Sequence, residues 1–124
     1  MISSSTITIC KQKLLAAKNE LINQIKSMKT DFNLVDKSRG DESDLASAHQ
    51  EEHQFLVNQG RLKHQLLEIE SALSRIEQGT YGICEMTEES IEEDRLIALP
   101  WTRFSIEGAE IKESQNKRAH LRAI

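Results

Sequence analysis

The sequence predicts a mainly α protein: a long antiparallel helical hairpin, then a small globular knob and a C-terminal helix. Three observations carry this. Two long stretches keep a heptad spacing of apolar residues, a short polar segment with a glycine joins them, and a compact apolar cluster with the only proline follows. Aromatics are 4% and charged residues 29% of the 124 residues, a mix that suits helices with long solvated faces better than a thick core. Strand-forming residues are few and rarely alternate.

The first stretch runs from about Ile7 to Val35. Leu14, Leu21, Ile25, Met28, Phe32 and Val35 share one seam, with Lys18 as its polar member. Lys11, Lys13, Asn19, Glu20, Asn23, Gln24 and Lys26 supply the polar outer face. The second seam holds Ala48, Phe55, Leu62, Leu66, Ile69, Leu73 and Ile76, interrupted by Glu52 and Gln59. Its helix is expected to begin near Asp41 to Asp44 and end at Gln78, with Gly79 as the left-handed residue that closes it. At the α-helical rise it would be on the order of 50 Å long.

Each apolar stripe needs a partner, and the connector Asp36-Lys37-Ser38-Arg39-Gly40 is short enough to give it one within the chain. An intermolecular coiled coil is the rival arrangement. Residues 1–78 are therefore read as the hairpin, with its tip near 36–46, and residues 79–124 as the knob and terminal helix. In the knob, Ile83, Ile91, Leu96, Ile97, Leu99, Trp101, Phe104 and Ile106 are the candidate core. From Gly108 a modestly amphipathic helix ends in Lys117, Arg118, His120 and Arg122, cations that suit a helix C-terminus.

The formal net charge of -4 argues against a nonspecific nucleic-acid binder, which needs cations to neutralise phosphates. Two cysteines, Cys10 and Cys84, make no disulfide framework. No apolar run approaches a membrane span, and the start lacks a signal-peptide pattern, so a cytoplasmic protein is expected. No Ser-His-Asp spacing, phosphate loop or metal-ligand cluster is visible, so an autonomous enzyme is not expected.

Two motifs sharpen the reading. Asp41-Glu42-Ser43-Asp44-Leu45-Ala46 reads D-x-x-D-x-A. Farther on come Ala72-Leu73-Ser74-Arg75-Ile76-Glu77-Gln78-Gly79-Thr80-Tyr81-Gly82-Ile83-Cys84-Glu85 and Arg95-Leu96-Ile97-Ala98-Leu99-Pro100. Together they resemble the DksA/TraR family of RNA polymerase regulators, over roughly Asp41 to Glu110, in the longer form with a full hairpin. The resemblance implies a hairpin that enters the secondary channel of bacterial RNA polymerase and brings its tip toward the catalytic magnesium. Open promoter complexes would be shortened in life and ribosomal RNA promoters inhibited, commonly with guanosine tetraphosphate. Asp41, Asp44 and Ala46 match the family's tip residues. Carboxylates there would act by charge alone; they also suit the start of a helix. Arg39, Arg61, Arg95 and Lys112 are candidate contacts to polymerase or nucleotide, with a merely solvated role as the alternative. The acidic run Glu88-Glu89, Glu92-Glu93-Asp94 has the same two readings.

The chain departs from the family in its knob. Relatives hold a structural zinc with two C-x-x-C pairs. Here the matching positions are Cys84, Thr87, Ser105 and Gly108, so the knob is expected to be zinc-finger-like without the metal. Burial of the candidate core is expected to replace the zinc. The lone thiol of Cys84 reads as a small buried residue or as a redox-sensing group. The family's basic nucleotide-contacting positions fall on Glu68, Leu99 and Ala109, so guanosine tetraphosphate synergy is expected to be weak. The expected partner is the polymerase, with no sequence-specific DNA binding and a monomeric chain. A Gre-like transcript cleavage factor and a non-transcriptional coiled-coil adaptor remain the alternatives.

Overall fold

A computed structural model describes residues 2–38 and 45–123. They form four helices: α1 (Ser4–Ser38), α2 (Leu45–Gln78), α3 (Glu93–Ala98) and α4 (Ile106–Ala123). Among the described residues the only β pairing is a single bridge between Ile83 and Ser90. No helix is long and apolar enough to cross a membrane. The chain divides into two compact units: Ala16–Leu67, and Met1–Leu15 with Glu68–Ile124.

Local chemistry sets the helix ends. Ser3 precedes α1 and its hydroxyl accepts the Thr6 N–H at 3.3 Å, which satisfies one orphan donor of the first turn. At the end of α2, Gly79 has φ 79°, the Thr80 N–H reaches the Arg75 carbonyl at 3.0 Å and the Gly79 N–H the Ile76 carbonyl at 3.3 Å. This pair of bonds is the Schellman closure, and it falls where the sequence places it. Helix α1 begins at Ser4, one turn before the seam predicts, because Ser3 caps it there.

The unit Ala16–Leu67 is an antiparallel pair of helices. Leu21 and Leu62 are buried in it, and the rings of Phe32 and Phe55 stack with centroids 4.2 Å apart and planes 10° apart. Such a pair contributes ~0.5–1.5 kcal/mol beyond its burial. Of the two polar interruptions in α2, Glu52 is exposed and Gln59 is buried. The long Glu52 stem lets its carboxylate reach water, so only Gln59 enters the seam. Gly60 follows it, at ~1 kcal/mol disadvantage to alanine in a helix interior.

The second unit has its core in Cys10 and Leu14 of α1, Ile69 and Ala72 of α2, Leu96 of α3, and Tyr81, Cys84 and Ile91 of the segment between. The expected apolar replacement for zinc is only partly present. Ile91 and Leu96 are buried, but Ile83 (48% exposed), Ile106 (51%), Trp101 (39%) and Leu99 (37%) are not. Ile83, Leu99 and Trp101 stand in the segments between helices, and Ile106 is the first residue of α4. The first turn of α4 turns Gly108 inward against Cys84, which leaves Ile106 on its outer side. Residues from α1 fill the core instead. Ile2 lies so close to Gly82 that a β-carbon on the glycine would overlap it, and Gly82 has φ 85°, which favours glycine in any case.

Candidate functional site

The expected tip residues Arg39, Asp41 and Asp44, with Gly40 of the connector, lie outside the described residues. Ala46 is exposed in the first turn of α2, and Arg61 is exposed farther along the same helix. Lys112 is exposed on α4. Arg95 is half-buried, and its Nε donates to the Phe104 carbonyl at 2.8 Å, so its guanidinium holds the loop that enters α4.

The four former zinc positions do come together. Residues 82–91 fold back on themselves: the Cys84 N–H reaches the Glu89 carbonyl at 2.8 Å, the Ile91 N–H the Gly82 carbonyl at 2.8 Å, and Glu88 takes φ 61° at the turn. This fold points the Cys84 sulfur, fully buried, at the start of α4. The Thr87 N–H donates to Sγ at 3.4 Å. Ser105 caps α4 by accepting the Gly108 N–H at 3.0 Å, and its hydroxyl also bonds the thiol. Gly108 packs against the sulfur so closely that a β-carbon there would overlap it. Burial raises the thiol's pKa, but the hydrogen bonds from Ser105 and Thr87 outweigh it and leave it at about 6, against an ordinary 9.0. The positive end of α4 favours the thiolate as well.

These residues do not fit a zinc ion. One sulfur, two hydroxyl side chains and a glycine are not a tetrahedral ligand set. Among the described residues no cluster of three or more His, Cys, Asp or Glu could hold a metal. Ser105 and Gly108 also spend their polar groups on the helix cap and on the sulfur.

The second loop, residues 100–105, is tied down from three helices or turns. Tyr81 is buried and its hydroxyl donates to the Pro100 carbonyl at 2.8 Å. Burial first, and the neighbouring Cys10 second, push this phenol well above its usual range. Arg75 donates to the Trp101 and Thr102 carbonyls at 3.2 and 3.5 Å, and to Ser71 Oγ at 2.8 Å. Glu85 N–H meets the Arg103 carbonyl at 2.9 Å, joining the two loops.

Of the positions read as altered for nucleotide binding, Glu68 faces Arg103 at 3.6 Å, Leu99 is exposed and Ala109 is half-buried. Arg103 also reaches Glu85 at 3.7 Å and lies 5.5 Å from the Phe104 ring centre. Sequence reasoning missed Arg103, whose partners are distant in the chain. Two members of the acidic run have structural tasks: Glu93 accepts the Ser3 N–H at 2.9 Å and Glu92 the Ile106 N–H at 3.3 Å, ahead of α1 and at the start of α4.

Fold and site together define a helical-hairpin protein with a knob on the plan of a zinc finger whose ligand positions no longer carry ligands. Known proteins share this fold. Residues 79–113 match the prokaryotic DksA/TraR C4-type zinc finger model. An uncharacterized protein of Aquifex aeolicus is 38% identical over 111 residues, 86% of this chain and 76% of its own. The RNA polymerase-binding transcription factor DksA of Caulobacter vibrioides is 33% identical over 110 residues, 89% of this chain and 77% of its own. The solved structure of transcription factor DksA2 from Pseudomonas aeruginosa is similar with a TM-score of 0.84 at 29% identity, over 93% of this chain and 88% of that one. The chain belongs to the DksA/TraR family.

Proposed function

We propose that this chain is a transcription regulator that binds bacterial RNA polymerase at its secondary channel and acts without zinc. The hairpin enters the channel, and Asp41, Asp44 and Ala46 at its tip alter the stability of open promoter complexes, ribosomal RNA promoters being inhibited. The observation that carries this reading is the D-x-x-D-x-A sequence that follows α1 and runs into the first turn of α2, in a chain of this family. The Caulobacter relative, an RNA polymerase-binding transcription factor, supports the partner. A helix pair is slim, each helix being roughly 10–12 Å across with its side chains. Carboxylates delivered by such a rod to a magnesium centre change the local field and need no covalent chemistry. The protein is in this reading a cytoplasmic monomer and not an enzyme.

The exposed Arg61 and Lys112 are available to touch the polymerase. Arg95 is committed to the Phe104 carbonyl, and Glu68 places an acid where a tetraphosphate would want a cation. Both support a weak response to guanosine tetraphosphate.

Single-round transcription from a ribosomal RNA promoter tests the proposal. Wild-type protein is expected to inhibit, and Asp44→Asn to bind the polymerase without inhibiting. Transcript cleavage in a backtracked complex would favour the Gre-like alternative. No binding at all would leave a coiled-coil adaptor.

A further inference from the structure

Two neighbouring residues in the middle of α2 work against the helix pair they sit in. The side chain of Gln59 is buried at 6% exposure between the helices of the unit Ala16–Leu67, yet its Nε2 meets no hydrogen-bonding group among the described residues. A buried donor without a partner favours any state that exposes it to water. Gly60 follows at once, and a β-carbon added there would meet no atom within 4 Å, so no steric demand explains the glycine. A glycine that nothing requires loosens the helix backbone where it stands. About one turn tipward the Phe32–Phe55 stack closes the seam, and Leu62 closes it on the other side. The weak step is therefore confined between two well-packed ones.

We propose that Gln59–Gly60 is a built-in opening point of the hairpin, where the seam parts locally and lets the hairpin bend as it meets its partner. The partner half of this inference rests on the polymerase reading above. The opening half does not.

Amide hydrogen exchange on the free, full-length protein tests the opening. In the wild type, amides around residues 58–61 should exchange on the order of ten-fold faster than those around residues 52–55 and 64–69, a local-opening signature. Gln59→Leu and Gly60→Ala should each slow that exchange, and the double variant most. Uniform protection along α2, or faster exchange in Gln59→Leu, would overturn the opening, the latter by showing that the amide is satisfied in solution. For the second half, association of wild type and double variant with RNA polymerase is followed by stopped flow. A several-fold slower association of the double variant at unchanged tip sequence is expected. Equal association rates would overturn the bending role while leaving polymerase binding intact. Failure of the wild type itself to bind would instead reject the polymerase reading and the bending role with it, with the exchange data still deciding the opening.

Discussion

The Cys84 sulfur and the α-carbon of Gly108 are packed against each other where the family's finger would hold a metal between two ligands. The cysteine side chain, the Ser105 hydroxyl and the first turn of α4 have closed over that point. Glycine is the residue that permits the closure.

Gly108→Ala should therefore destabilise the knob although alanine is the better helix former. Overpacking of this kind costs ~1–3 kcal/mol. Cys84→Ala in the same chain makes room for the methyl group, so the double variant should lose less than the sum of the single ones. Urea unfolding of the four proteins checks this, and strict additivity would refute the contact.

Chelation should leave the protein unchanged. Thermal unfolding with and without a strong zinc chelator is expected to coincide, and added zinc should not raise the midpoint, as a ligand that binds only the folded state would. A chelator-induced loss of the α-helical signal would falsify the zinc-free reading of the knob.

The Cys84 thiol gives a signed pH dependence. Its folded value is about 6 and its ordinary value 9.0. An acid with a depressed folded value stabilises the fold fully above the ordinary value and loses that contribution as pH falls through the folded one. The stability difference between wild type and Cys84→Ser should thus grow in favour of the wild type from about pH 6 to about pH 9. Denaturant midpoints at three pH values would show it; a difference independent of pH would mean that the thiol stays protonated.

Tyr81 and Trp101 should rank in the reverse of their size. Tyr81→Phe strands the Pro100 carbonyl and is expected to cost about 1–3 kcal/mol. Trp101→Ala removes a side chain that is 39% exposed and should cost less than the ~3–5 kcal/mol usual for a buried tryptophan. Thermal melts of the two variants decide it.

Guanosine tetraphosphate should add little to the inhibition proposed above, and Glu68→Lys should increase its effect by replacing an acid with a cation and leaving Arg103 with Glu85 as its acidic partner. Titration of the nucleotide in the transcription assay measures both.

The helices were legible because their determinants are local and periodic. Leu14, Leu21, Leu62 and Ile69 lie on the seams and are buried, and Gly79 ends α2 as its sequence implies. The family's knob motif could be read directly. The knob interior was not legible, because its partners are far apart in the chain. Nothing near Trp101 in sequence says that its loop runs at the surface, and nothing near Cys10 says that its thiol lies 3.5 Å from the Leu96 carbonyl. Likewise Lys13 reaches the Ile97 carbonyl at 2.8 Å, so a residue read as outer-face solvation anchors α3. The mutual hydrogen bonding of the former zinc positions depends on the backbone turn at Glu88, which no spacing rule supplies.

The knob uses Met1–Leu15 as well as Glu68–Ile124, with Ser3 bonded to Glu93 across 90 positions of chain. Its closure is therefore a high-contact-order event, slow in proportion to the loop that must first be spanned. On the ribosome the seams of α1 and α2 can zip as soon as Phe55 and Leu62 have emerged. The first fifteen residues must then wait for α3, so an N-terminal fusion would burden the last step of folding and not the first.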